Sequence, residues 1–92
     1  ALVYALSPSV NLAAATVVFN MIGRAGAAPI ARAPAVVVGD PADGVVSYSW
    51  QADDTAQTGR YRGEFEVTYA DGAIETFPNS GFIDILVHAD LG

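Results

Sequence analysis

Apolar and polar positions alternate with a period of two along much of this chain. Over residues 61–69, Tyr61, Gly63, Phe65, Val67 and Tyr69 fall on one side, with Arg62, Glu64, Glu66 and Thr68 on the other. Such sorting predicts a half-buried strand, because successive strand side chains point to opposite faces. Gly63 on the apolar side predicts a bulge or the close approach of a large side chain, for which Trp50 is the candidate. Asp71-Gly72 then supplies residues that tolerate positive φ, so a hairpin turn follows, with residues 73–77 as the returning strand. Pro78 has no N–H to give a ladder and ends that strand. The last strand is expected over residues 82–87, with Ile83, Ile85 and Val87 on one face and Phe82, Asp84 and Leu86 on the other.

Upstream the same period recurs. Residues 16–21 place Val17, Phe19 and Met21 inward, and residues 45–50 place Val46, Tyr48 and Trp50 on one face. Residues 2–6 predict a first, edge strand, and residues 30–38 an extended segment broken at Pro34. Residues 40–44, Asp-Pro-Ala-Asp-Gly, are a dense turn signal. Residues 22–29 are too rich in Gly and Ala for a sheet interior and predict a loop. Residues 51–59 are polar and predict at most one helical turn begun by Asp53 or Asp54. The sum is about seven short strands with turns between them and no sustained helical pattern. That predicts a single domain over residues 1–92, an antiparallel β-sandwich of the immunoglobulin-like kind. The Gly59-Arg60-Tyr61 run places a Tyr at the opening of a strand after a corner, where such folds set their tyrosine corner.

Composition narrows the function classes. Ninety-two residues, 52% of them hydrophobic, suit one modest core rather than a disordered chain. Ten acidic residues face four Arg and no Lys, a net charge of −6. Such a surface repels phosphate backbones, so nucleic acid is not an expected partner. No apolar run approaches the length of a membrane span, and the opening ALVYALSPSV lacks a basic n-region, so membrane insertion is not expected and the reading is of a soluble chain. No cysteine is present, which removes thiolate chemistry and sulfur-ligated metals.

The residues that could carry chemistry are few. His88 is the single histidine, with Asp84 and Asp90 near it in sequence. On a strand those three would spread over about 20 Å, too far to share an ion, so His88 is read as solvated. Asp40, Asp43, Asp53, Asp54 and Asp71 fall in loops and turns, where Asp is favoured for its own sake, and calcium is the lesser reading. Glu64, Glu66 and Glu75 read as neighbouring solvent-facing charges on a hairpin rather than as a glycosidase pair. With no second histidine or buried base, the serines lack activation. No catalytic residue, cofactor or metal site is expected, and the protein is read as a non-enzyme. Phe77 and Phe82 flank the Pro78 to Gly81 break. If Ile74 and Ile83 are core, both rings look outward, and Phe77, Pro78, Asn79 and Phe82 form the expected contact surface.

Residues 44–87, GVVSYSWQADDTAQTGRYRGEFEVTYADGAIETFPNSGFIDILV, resemble the N-terminal domain family of phage baseplate upper proteins. The matching marks are Gly44, Tyr48-x-Trp50, Asp54 with Gly59-x-Tyr61, and Glu64-Phe65-x-Val67. The Asp71-Gly72 turn and Thr76-Phe77-Pro78-Asn79-x-Gly81-Phe82 complete them. Residues 11–21, NLAAATVVFNM, are similar to that family's second strand and its lead-in. Family members begin with a further short strand and continue into a shaft or receptor-binding region, so the resemblance implies fold and viral origin more than a baseplate location. It implies an immunoglobulin-like virion module of tailed phages or prophages, without catalytic residues. Such a module is assembled in the bacterial host cytoplasm and packs in multiple symmetric copies against other virion proteins. The alternative is a carbohydrate- or cell-surface-binding module using Phe77, Phe82 and loop carboxylates, with or without calcium.

Overall fold

The alternating segments pair as strands in a computed structural model that describes residues 1–23, 29–51, 54 and 58–87. Among the described residues there are eight strands: β1 (Leu2–Ala5), β2 (Thr16–Ile22), β3 (Ile30–Pro34), β4 (Val36–Val37), β5 (Val45–Tyr48), β6 (Gly59–Thr68), β7 (Ile74–Phe77) and β8 (Ile83–Val87). They form two antiparallel sheets, one ordered β1-β5-β4 and the other β3-β2-β6-β7 with β8 also on β6. The sheets pack face to face as a β-sandwich. Most of residues 22–29 and of the 51–59 segment, with Asp53, His88 and Asp90, lie outside the described residues, so the expectations for them have no counterpart here.

Strand parity places the core as the alternation predicts. Val17, Phe19, Met21, Val46, Tyr48, Tyr61, Phe65 and Val67 are all buried. Phe19 sits at the centre. It stacks on Tyr48 of the opposite sheet at 4.8 Å between centroids, tilts against Phe65 at 4.9 Å and meets Trp50 edge-on at 6.1 Å. Tyr4 stacks over Phe65 at 5.8 Å. Aromatic pairs in this range contribute about 0.5–1.5 kcal/mol each beyond their buried area. These pairs also fix how the sheets overlay, with β1 above β6 and β5 above β2.

Gly63 makes the seam possible. A Cβ there would stand 2.6 Å from Ile85 Cδ1 and 3.1 Å from the Phe19 ring. The space expected for Trp50 is therefore taken by Phe19 from the paired strand and Ile85 from β8. The reason is register: Met21 lies opposite Gly63 with Phe19 two residues along, while Ile83 flanks Gly63 on the other side.

The extended segment over residues 30–38 divides between sheets. β3 pairs with β2, and β4 pairs with β5. The break falls at Ala35, whose N–H donates to the Val17 carbonyl at 2.9 Å, while Pro34 ends the edge strand β3, paired opposite Val18. β3 also carries a bulge, a register shift between Phe19 and Met21. Arg32 takes positive φ (51°) at that bulge, and the Asn20 side-chain oxygen accepts its N–H at 2.7 Å. The 40–44 turn forms as expected. Asp40 accepts from the Ala42 N–H, Pro41–Asp43 makes one 3₁₀ turn, and Gly44 closes it at φ 66°. A Cβ on Gly44 would lie 2.9 Å from both Ser9 Oγ and the Val10 carbonyl, so only glycine fits.

β7 and β8 are one edge interrupted. β7 pairs with Phe65 to Thr68 of β6, and β8 with Gly59 to Gly63, so they follow one another along the same side of that strand. The count of eight strands rather than about seven comes from the division of residues 30–38, since residues 73–77 and 82–87 are already expected as two strands.

Gly63→Ala is expected to destabilise the fold by about 1–3 kcal/mol through overpacking. Adding Ile85→Val, which removes the nearest atom, should recover part of that loss; urea unfolding of the single and double variants measures both.

Candidate contact surface

The expected surface of Phe77, Pro78, Asn79 and Phe82 is only partly on the outside. Phe77 is wholly buried, at 0% exposure, while Ile74 is 63% exposed. Register explains the inversion. Phe77 pairs with inward-facing Phe65, and Ile74 with outward-facing Thr68. Residues three apart on a strand lie on opposite faces, so exposing Ile74 commits Phe77 to the core. Glu75 shares the inward parity. It accepts from the Tyr69 hydroxyl at 2.7 Å and from Asn79 Nδ2 at 3.0 Å, rather than standing as a free solvent charge. Asn79 Nδ2 also donates to the Thr76 carbonyl at 3.0 Å, so one amide group ties the segment after the cis Phe77–Pro78 bond to two residues of β7.

Phe82 is outward, as expected, at 48% exposure. The Arg62 guanidinium lies 4.7 Å above its ring. A cation held over an aromatic face this way gains about 0.5–1 kcal/mol at an exposed site. Ile22, Arg62 and Asp84 are aligned across β2, β6 and β8 on the outer face, and Arg60 stands two residues from Arg62 on that face, opposite Leu86. Together Ile22, Gly23, Arg60, Arg62, Phe82 and Asp84 line a shallow depression of about 350 Å³. A smaller one of about 170 Å³ adjoins it between Glu64, Gly81 and Phe82. Among the described residues Arg60 and Arg62 form no ion pair. Arg32 does, with Glu66 at 2.6 Å.

The sequence reading did not find Arg62 as the partner of Phe82. The pairing depends on β8 lying beside the first half of β6, a long-range fact that no local pattern carries. It also left the bare face of the smaller sheet unremarked. There Val3 and Val36 are each 60% exposed and flank Ser47 in register, with Val38 beside them at 40%. The signal was available, since none of the residues in β1, β4 or β5 is charged.

The carboxylates serve structure. Asp54 accepts from the Tyr48 hydroxyl at 2.6 Å and from the Gln51 N–H at 2.7 Å. Asp71 accepts from the Ala73 N–H inside the hairpin turn. Among the described residues no three of His, Cys, Asp or Glu gather where they could hold a metal ion. Two phenols are displaced: burial, reinforced by the carboxylate each one donates to, pushes Tyr48 and Tyr69 up to about 12. Both stay protonated donors and neither is poised as an acid or base near neutrality. No protein-family model, curated protein or solved structure matches the chain.

Unfolded tyrosine titrates near 10, so the folded state holds these two protons more tightly. Their stabilisation is fully present below pH 10 and is lost as pH rises through about 12. Tyr48→Phe with Tyr69→Phe should lower stability at pH 7 and flatten its fall between pH 10 and 12. Denaturant titration across that range checks both.

Proposed function

We propose that this protein is a non-enzymatic structural component of a tailed-phage or prophage virion, in the tail or baseplate, the neck or a decoration layer, acting through contacts with other virion proteins. The observation that carries the reading is the exposed Phe82 ring, held under Arg62 and flanked by Ile22 at 42% exposure and Leu86 at 58%. Aromatic and Arg side chains presented together, with apolar neighbours, are what the energetic centres of protein interfaces are made of. Phe82 follows directly on the 78–81 excursion between β7 and β8, on the wider sheet and within reach of a neighbour.

The strand order supports the immunoglobulin-like part of the reading. The pairings β1-β5-β4 and β3-β2-β6-β7/β8 follow the order B-E-D and C′-C-F-G of immunoglobulin strands. Tyr61 then stands near the start of the strand equivalent to F, where the tyrosine corner belongs. The resemblance of residues 44–87 to the baseplate upper protein domain points the same way. Repetition suits such a surface, because weak contacts made in many symmetric copies hold an assembly firmly.

A second reading is favoured by the depression beside Phe82. An aromatic ring with Arg60, Arg62 and Asp84 around it has the mixture of apolar face and planar polar groups that sugar rings and hydroxyls meet. A glycan panel that shifts the melting temperature, with the shift lost in Phe82→Ala, would favour it.

Cryo-electron microscopy of purified particles decides the main proposal. The expected result is density for this domain at a defined, symmetric position, with Phe82 and Arg62 against a neighbouring protein. Phe82→Ala should cut incorporation by about tenfold or more, the effect of losing a contact worth at least ~1.4 kcal/mol. Particles that lack the chain although it is expressed would overturn the proposal.

A further inference from the structure

With ten acidic residues and four Arg in the chain, a surface arginine is expected to find a carboxylate of its own. Arg32 does so with Glu66. Arg60 and Arg62, on the outer face of β6, do not: among the described residues neither forms an ion pair. They stand two residues apart on one strand, so both guanidinium groups rise from the same face. Asp84 lies opposite Arg62 in register, whereas Arg60 lies opposite the apolar Leu86. The depression that both arginines line therefore holds two cations and, in Asp84, one carboxylate. Glu64 lines the smaller depression next to it and stands four residues from Arg60, about 13 Å along the strand.

Arg62 is also oriented. Its guanidinium lies over the Phe82 ring, 4.7 Å from the centroid. Stacking uses the flat face of the group and leaves its in-plane N–H donors, whose fork matches the edge of a carboxylate. Arg60 is exposed beside it. Ile22, Phe82 and Leu86, all exposed, give the same face an apolar border. The result is a pair of cationic donor groups set among apolar side chains in a shallow concavity.

We infer that Arg60 and Arg62 receive a carboxylate from the neighbouring protein, an Asp or Glu side chain flanked by apolar residues. The inference deepens the proposed function and rests on its placing of Phe82 and Arg62 against a neighbour. Burial selects the chemistry. Covering the depression takes two guanidinium groups out of water, and Asp84 can offset only one of them. A neighbour bringing neutral or basic groups would leave a buried cation without a counter-charge, which is strongly unfavourable. A neighbour bringing a carboxylate completes short, charge-assisted hydrogen bonds to the fork. Charge also selects the place. An acidic segment meets like charge on a chain of net charge −6 and opposite charge at Arg60 and Arg62, so the pair fixes where it docks.

The test titrates the ¹⁵N-labelled protein with the blocked peptide acetyl-Gly-Leu-Asp-Leu-Gly-amide and follows the arginine Nε–H signals. Expected are saturable shifts at Arg60 and Arg62, with none at Arg32, which Glu66 already holds. The Asn counterpart of the peptide should bind about tenfold more weakly, as loss of a charge-assisted hydrogen bond would give. Arg60→Gln should weaken the Asp peptide by a similar factor, and the core spectrum should persist because Arg60 is exposed. Arg60→Lys keeps the charge but loses the fork, and should fall between the two. At about 1 M salt, where the Debye length is ~3 Å, the response should shrink. Equal responses to the Asp and Asn peptides, or no shift at millimolar peptide, would overturn the inference. Shifts of the same signals on raising protein concentration alone would also overturn it, by naming a second copy as the occupant. In particles, density for the domain with Arg60 against a surface free of Asp and Glu overturns this inference alone, whereas particles lacking the chain overturn the virion reading itself.

Discussion

Everything in this fold depends on one close approach, that of the Phe19 ring to the backbone of Gly63. With no Cβ at Gly63, the ring seats close against β6 and stacks with Tyr48 from the opposite sheet. That contact sets the overlay of the two sheets, and the overlay sets which strand covers which. Tyr4 then falls on Phe65, and the remaining inward positions close around the pair. A chain of 92 residues has little core to spare. Concentrating its aromatics at a single seam gives a modest domain one well-defined packing arrangement instead of a loose apolar interior.

Polar bonding secures what the seam leaves at the periphery. Tyr48 lies in the seam by its ring and holds Asp54 by its hydroxyl, so burial of the ring and placement of Asp54 are one event. Tyr69, Glu75 and Asn79 do the same at the far end of the hairpin. At β3 the Asn20 carboxamide supports the bulge, and the bulged Arg32 reaches across β2 to Glu66. That surface pair, with the Arg 65% exposed, is worth no more than about 1 kcal/mol. Its geometric effect is larger, since it ties three adjacent strands on one face.

How much of this was legible depended on the range of the interaction. Parity was local, and the inward faces of β2, β5, β6 and β8 follow from alternation alone. The turn at Asp71-Gly72 and the 3₁₀ turn at Pro41–Asp43 were equally local, written in residues whose conformations are restricted. The Phe77 side was not legible. Ile74 and Phe77 are both apolar and three apart, so one had to face outward, and the choice was made by the register with β6. Likewise nothing local distinguishes a new strand after Pro78 from the resumption of the same edge. The Arg62–Phe82 contact and the Ile85 approach to Gly63 both depend on that resumption. On the candidate surface, outward Phe82 was read and buried Phe77 was misplaced for this one reason.

The distribution of charge carries the functional argument further than any single side chain. The wider sheet holds Arg32, Arg60, Arg62, Glu64, Glu66, Glu75 and Asp84 in its strands, and the narrower sheet holds no charge. A solvated outer face ordinarily alternates with polar residues, yet the narrower sheet presents Val3, Val36 and Val38 around a nearly covered Ser47. An exposed apolar face of this kind stands out against a chain of net charge −6 whose charges lie elsewhere. The two sheets thus present unlike outer surfaces: the wider one charged, with Arg62 over Phe82, the narrower one uncharged and lined by valine.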